Sequence, residues 1–321
     1  MDPRILTAAI AVIGVPILLV GYIRLGEWFL ERLPRRIAGR MRPYVWVFPA
    51  VAFATVFMVL PTINTFFISF QDARGNPVGL DNYVFFFTNP ETLTSLKNNV
   101  LWLIFFTGFV VGFGLIFSVI FDRVRYESWA KTAVFLPLPI SAVAASIIWK
   151  FMYEFDPPGR PQTGTLNATL GAFGFEPVAW LINQTTNNWA LIAVGVWTST
   201  GFAMVIISAA LKGISAELLE AARVDGATER QVLRNIIIPL LMPTLTVITT
   251  TMIITALKVF DIVYVLTSGA FGTDVIARQL FQRIANSDYG RAAAVAVVLL
   301  LAVAPVLLFN VKRFREQEER R

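Results

Sequence analysis

Apolar residues in this chain do not alternate with polar ones. They run together in stretches long enough to cross a bilayer. A spanning helix needs about 20 apolar residues to traverse the ~30 Å hydrocarbon layer. Seven stretches qualify, at about 5–23, 44–70, 99–121, 131–153, 188–210, 243–265 and 291–311. Few charges interrupt them: Lys131 and Lys150 in the fourth, Lys258 and Asp261 in the sixth, and Arg291 at the start of the last. The expected fold class is all-α and integral to the membrane, with seven transmembrane helices.

Between the runs lies turn chemistry. The connections at about 71–98 and 154–187 hold Arg74-Gly75-Asn76-Pro77, Asp156-Pro157-Pro158-Gly159 and the Gly171 to Pro177 segment. Asp274 to Asn286 has apolar positions at Val275, Ile276, Leu280, Phe281 and Ile284. That spacing predicts a short amphipathic helix lying at the interface, N-capped by Thr273.

Composition agrees with this pattern. Hydrophobic residues make up 56% and charged residues 15% of the chain, well below the roughly 25% charged residues of soluble domains. The 27 Lys and Arg outnumber 21 Asp and Glu. Their placement assigns this excess to membrane loops and not to nucleic acid. Arg24, Arg32, Arg35, Arg36, Arg40 and Arg42 share one connection. Arg123, Arg125 and Lys131 mark a second, and Lys212, Arg223, Arg230 and Arg234 a third. Lys312, Arg313, Arg315, Arg320 and Arg321 fall in the tail. The alternate segments are poor in basic residues, which predicts an external N-terminus and a cytoplasmic tail. The first run is read as retained, because its basic cluster follows it, whereas a signal peptide carries its basic residues in front. That cluster, Arg24 to Arg42, serves topology or contacts anionic lipid. Three regions result: a first helix with a basic cytoplasmic linker (1–43), the main membrane domain (44–312) and a cytoplasmic tail (313–321).

The chain has no Cys and no His. Disulfides, thiolate nucleophiles, imidazole catalysis and the usual zinc or copper ligand sets are excluded. No Gly is followed by Lys, so a Walker A phosphate loop is absent. Asp122, Glu127, Glu154 and Asp156 are scattered and lie on opposite sides of the predicted membrane, which argues against a membrane enzyme. No catalytic or metal-binding residue is expected.

The segment 211–242 is the most informative. Ser215 is placed to cap a helix ending near Val224, with Leu218, Leu219 and Ala222 on one side. Asp225-Gly226 breaks it, since Gly accepts a left-handed turn. Thr228 and Gln231 form a capping box for a second helix, which Pro239 and Pro243 are expected to end. Such a bent pair is either a docking element or an ordinary connection.

The run Glu220-Ala221-Ala222, with Asp225-Gly226 and Ile238-Pro239, resembles the EAA loop of permease subunits in binding-protein-dependent ABC importers. Gly79-Leu80-Asp81-Asn82-Tyr83, Asn98-Asn99, Leu257 to Thr267 and Tyr289 to Ala294 are similar to segments of the sugar-transporting branch, the maltose and α-glucoside type. Ser268-Gly269-Ala270-Phe271 stands where many sugar permeases have Gly-Gly-Pro, which favours an α-glucoside. The resemblance implies an importer-type permease bundle whose coupling helix docks on a cytoplasmic ATPase. Glu220, Ala221, Ala222, Asp225, Gly226 and Pro239 would form the coupling loop. It also implies a second permease subunit in a heterodimer, two ATPase subunits that hold the ATP and Mg, an external solute-binding protein, and a sugar substrate. The extra first helix fits the longer of the paired subunits. A permease for a non-sugar solute is the alternative, and a channel without an ATPase is a further one.

For the solute pathway, Thr251, Thr255 and Lys258 share one helical stripe, and Asp261 lies three residues beyond Lys258, in reach of pairing. Such a pair is either structural or substrate-contacting. Asn64, Trp149, Tyr153, Trp197, Thr198 and Ser199 are further cavity candidates, or packing residues. Gly108 and Gly112 form a G-x-x-x-G spacing that permits close helix approach.

Overall fold

The computed structural model describes residues 3–157 and 159–318. Thirteen helices are described: α1 (Pro3–Glu31), α2 (Arg35–Ile68), α3 (Asp81–Thr88), α4 (Pro90–Phe121), α5 (Glu127–Phe135), α6 (Ala142–Met152), α7 (Thr165–Ala172), α8 (Asn187–Lys212), α9 (Ala216–Val224), α10 (Glu229–Leu257), α11 (Asp261–Leu266), α12 (Ile276–Ala285) and α13 (Tyr289–Glu318). An isolated bridge between Gln71 and Pro77 is the strand-like pairing among the described residues.

Among the described residues, five helices are long and apolar enough to span a bilayer: Val12–Glu31 within α1, then α2, α4, α8 and α10. α6 and the Tyr289–Pro305 part of α13 are apolar but shorter. The expected single span at 131–153 is instead two helices, α5 and α6, separated by a turn. Pro137 and Pro139 sit in that turn. Proline cannot donate an intrahelical hydrogen bond and clashes with the preceding turn, so the apolar run does not continue as one rod. The terminal helix runs to Glu318, and residues 319–321 of the predicted tail lie outside the described residues.

The chain divides into two compact units, residues 1–67 and 68–321. In the first, α1 and the start of α2 form a hairpin. The Tyr22 hydroxyl donates to the Val45 carbonyl (2.8 Å), and Glu27 receives Arg42 (2.8 Å) and Trp46 Nε1 (2.9 Å). The Arg32 guanidinium lies 3.4 Å from the Trp28 ring centre, which partly accounts for the basic cluster as local packing.

The second unit is built on α4 packed along α8, with α10 against both. Trp102, Phe106, Val110, Leu191, Val194, Ile207 and Ile248 form its buried centre. Gly114 and Gly195 make this packing possible. A Cβ at Gly114 would stand 2.7 Å from Ala203 Cβ, and one at Gly195 would stand 2.8 Å from the Trp102 ring. Gly108 and Gly112, in contrast, have nothing within 4 Å of an added Cβ. Within this chain the G-x-x-x-G spacing is therefore not a helix contact.

Two of the long helices widen just before a proline. α2 has a π turn at Thr55–Val59 ahead of Pro61, and α10 has one at Leu233–Ile237 ahead of Pro239. The wider turn accommodates a carbonyl that the proline ring cannot bond. α10 consequently passes through Pro239 and Pro243 without stopping, contrary to the expectation that these residues end it. It stops at Leu257, within the sixth apolar run.

Candidate functional site

The connection between α8 and α10 folds as the bent pair expected from its residues. α9 ends at Val224, and Gly226 has φ +84°. Ala227 N–H donates to the Ala222 carbonyl and Gly226 N–H to that of Arg223, each at 3.0 Å. These two bonds close the helix end and set the bend. Thr228 and Gln231 form the capping box: Thr228 N–H donates to Gln231 Oε1 (2.8 Å) and Gln231 N–H to the Thr228 hydroxyl (3.4 Å). Ser215 occupies the N-cap position of α9, but its side chain makes no capping hydrogen bond.

The faces of α9 differ from the simple apolar grouping. Leu219, Ala222 and Ala227 pack on the core, whereas Leu218 is 45% exposed. Glu217, Glu220, Ala221, Val224 and Asp225 are exposed beside Leu218. The outward surface is thus small, mixed and free of competing intramolecular packing. Pro239 is exposed on the first turns of α10.

Charged residues brace this segment from outside it. Glu229, the first residue of α10, accepts Arg123 Nη2 at 2.6 Å and Arg223 Nε at 2.9 Å. Glu127 accepts Lys131 (2.5 Å) and Lys212 (2.6 Å), and Lys131 also donates to the Ser208 hydroxyl. The Lys131 ammonium, followed by that of Lys212, holds the Glu127 carboxyl below its ordinary range. Of these contacts only Glu127–Lys131 has helical i,i+4 spacing; Arg123 and Glu229 are 106 positions apart.

The solute-pathway candidates do not converge on one site. Thr251 and Thr255 are exposed on α10, and their hydroxyls donate to the Val247 and Thr251 carbonyls at 2.9 Å. Lys258 is the C-cap of α10, and Asp261 begins α11. Val259 and Phe260 between them are non-helical, so the i,i+3 register that would pair Lys258 with Asp261 is lost. No ion pair joins these two among the described residues.

The break has a tertiary cause. Asn99, on α4, directs its amide nitrogen at the Ala256 and Leu257 carbonyls (3.3 and 3.5 Å) and accepts Ile276 N–H (2.8 Å). One buried amide therefore closes α10 and opens α12. Neighbouring Asn98 donates to the Gly272 and Asp274 carbonyls (2.7 and 2.8 Å). Thr273 does not cap α12; its hydroxyl is engaged with Thr267 and the Ala270 carbonyl.

Trp197 lines an apolar groove of about 570 Å³ with Trp189, Thr200 and the stacked rings of Phe109, Phe113 and Phe117. Its ring meets Trp149 edge-on, at 5.7 Å between centroids. Trp149 in turn lies 5.1 Å from Tyr153, whose hydroxyl donates to the Ala190 carbonyl (3.0 Å). Tyr153 is thus a satisfied core residue. The Thr198 hydroxyl returns to the Val194 and Gly195 carbonyls, and Ser199 is half-buried. Asn64 is exposed on α2. Among the described residues no cluster of acidic side chains is arranged to hold a metal ion.

Long apolar helices, a bundle built on α4, α8 and α10, and an exposed bent pair between two of them define an all-helical, multi-pass membrane protein. Residues 29–316 match the family of binding-protein-dependent transport system inner membrane components, and the chain belongs to that family. It is accordingly an inner-membrane transport subunit and not an enzyme. Among its relatives, the osmoprotective compounds uptake permease protein GgtC of Synechocystis sp. is 49% identical over 86% of this chain and 100% of its own length. The alpha-glucoside transport system permease protein AglF of Rhizobium meliloti is 40% identical over 86% of this chain and 83% of its own. The fold is similar to that of a chain in a bacterial ABC transporter involved in alginate import, with TM-score 0.74, 23% identity, and coverage of 88% of this chain and 99% of that one.

Proposed function

We propose that this chain is the permease subunit of an ABC importer for a sugar or oligosaccharide of the α-glucoside type. An external binding protein delivers the solute. ATP is hydrolysed with Mg on two cytoplasmic ATPase subunits, and a second permease subunit completes the path. The names of the relatives, an alpha-glucoside permease among them, support the substrate class.

The observation that carries the mechanism is the capped, bent pair of α9 and α10 with Glu220, Ala221 and Asp225 turned outward. Glu220 supplies a charge for a basic residue on the ATPase, and Gly226 sets the angle of the lever. α10 continues from the lever as one helix of 29 residues, about 43 Å long at 1.5 Å per residue. A displacement at Glu229 is passed toward Lys258 through the packing of α10 on α4 and α8. Lys258 is exposed in the isolated chain, and a charge facing lipid costs roughly 2.5–3.5 kcal/mol on insertion scales. That cost favours a solute path or a partner-subunit surface over lipid for the Thr251, Thr255 and Lys258 stripe.

A second reading, uptake of a small osmoprotective solute, draws on the name of the relative at 49% identity. Reconstituted complex with its binding protein should accumulate maltose, sucrose or trehalose under ATP. Accumulation of glycine betaine with none of these sugars would replace the sugar assignment. Gly226→Pro and Glu220→Lys should each abolish binding-protein-stimulated ATP hydrolysis while membrane insertion persists. Undiminished stimulation in both variants would refute the coupling role.

A further inference from the structure

On the coupling reading above, we infer that Arg123 and Glu229 are positioning residues that carry the motion of the bent helix pair sideways into the α4–α5 turn, so that α5 and α8 move together with α10. The turn Asp122 to Tyr126 is fastened at both ends. At one end Arg123 reaches Glu229, the first residue of α10, at 2.6 Å. At the other end Glu127 reaches Lys212, the last residue of α8, at 2.6 Å. Lys212 and Glu229 are the two feet of the connection that contains α9. The turn therefore bridges the base of the lever and ties its feet to each other.

Glu229 also takes Arg223 Nε from the last turn of α9 at 2.9 Å. One carboxylate thus registers three segments: the bent helix, the start of the long rod, and the turn below them.

Beyond the turn the path is stiff. α5 lies so close to α8 that a Cβ at Gly201 would stand 2.6 Å from the Val134 carbonyl oxygen and 2.7 Å from Phe135 Cα. Backbone in contact with backbone cannot slide independently. α5 leads through the Pro137 turn into α6, whose Trp149 touches Trp197 on α8. Displacement applied at α9 consequently has two routes inward, along α10 and through the turn, and the Arg123–Glu229 pair is where the second route begins.

Arg123, Arg223 and Glu229 are each about half exposed. Exposed ion pairs contribute little to folding, so removing this one leaves the subunit folded and assembled. Register between moving parts is a different quantity, and coupling effects of about fivefold arise from interactions of this modest size.

The chain has no Cys, so spin labels attach only where cysteines are introduced. Tyr126 and Val224 are 64% and 87% exposed, one on the turn and one on α9. In the full complex with cysteine-free partners, Tyr126→Cys and Val224→Cys are labelled and their separation is measured without nucleotide and after trapping with ATP and vanadate. In the parent background the separation should stay constant to within about 2 Å, the scale of helix shifts at moving interfaces. With Arg123→Ala it should change on trapping by more than that, and binding-protein-stimulated ATP hydrolysis should fall by about fivefold. Arg123→Lys, which leaves the Glu229–Arg223 pair in place, should restore both readouts.

An unchanged separation and parental stimulation in Arg123→Ala would overturn the inference, as would failure of Arg123→Lys to rescue. So would an Arg123→Ala subunit that no longer copurifies with the ATPase, since the pair would then be structural. Gly226→Pro run in parallel separates the two levels. If Gly226→Pro abolishes stimulation while Arg123→Ala does not, this inference alone fails. If Gly226→Pro leaves stimulation intact, the coupling reading fails and this inference with it.

Discussion

Adding one methyl group at Gly201 should loosen the second unit, while the same change at Gly108 or Gly112 should not. The Gly201 Cβ would lie 2.6 Å from the Val134 carbonyl oxygen, 2.7 Å from Phe135 Cα and 3.2 Å from Phe135 N. Comfortable contacts between such atoms are about 3.5–4.0 Å, so α5 must retreat from α8 by roughly 1 Å. All three obstacles are backbone, and no side chain can rotate away. Overpacking of this kind costs about 1–3 kcal/mol. At Gly108 and Gly112 an added Cβ meets nothing within 4 Å, and Ala gains up to about 1 kcal/mol of helix propensity over Gly. Gly201 lies within α8 and gains the same propensity, so the variants should separate by the overpacking alone, about 1–3 kcal/mol. SDS titration of the isolated subunit in mild detergent, followed by fluorescence of its 8 Trp, measures the difference as a shift in unfolding midpoint. A Gly201→Ala midpoint equal to those of Gly108→Ala and Gly112→Ala would show that the α5–α8 approach is not what holds these helices.

Asn99→Ala should destabilise the chain by about 1–3 kcal/mol in the same titration, because it strands the buried Ile276 N–H and the Leu257 carbonyl, the Ala256 carbonyl keeping the Val259 N–H; an unchanged midpoint would remove Asn99 as the junction of α10 and α12. Thr228→Ala should cost the start of α10 about 0.5–2 kcal/mol, visible as faster amide hydrogen exchange at residues 228–232 with the far end of α10 unaffected. Glu127 has a lowered carboxyl pKa in the folded chain, caused first by Lys131 and then by Lys212, so its contribution is fully present above the ordinary Glu value. It is lost only as pH falls through the lowered folded value. The stability difference between parent and Glu127→Gln should therefore be flat from about pH 8 to pH 5, since an ordinary Glu titrates near 4.3, and should shrink only in more acid solution; a difference already shrinking above that range would contradict it.

Local chemistry made the membrane class and the bent pair legible. Long apolar runs have one outcome in a bilayer, because every backbone polar group must be bonded within the chain. Asp225-Gly226 followed by Thr228 and Gln231 encodes a stop, a left-handed residue and a start within a few positions, and the structure has each of them in place. Serine before α9 and threonine before α12 carried the same local signal without its result. The Ser215 side chain makes no capping bond, and the Thr273 hydroxyl is committed to Thr267.

What the sequence alone could settle was therefore whatever a few consecutive residues or a run of uniform polarity decides. The tertiary structure decided where helices stop and which glycines matter, since both depend on partners far along the chain. The sixth apolar run reads as continuous through Lys258 and Asp261, yet it breaks where Asn99, more than 150 positions earlier, bonds its last carbonyls. Gly108 and Gly112 have the suggestive spacing, but Gly114, Gly195 and Gly201 have the neighbours. Glu229 looks like an ordinary first-turn acid until folding brings Arg123 to it. Spacing along a helix fixes which residues share a face; only the packed bundle fixes what that face meets.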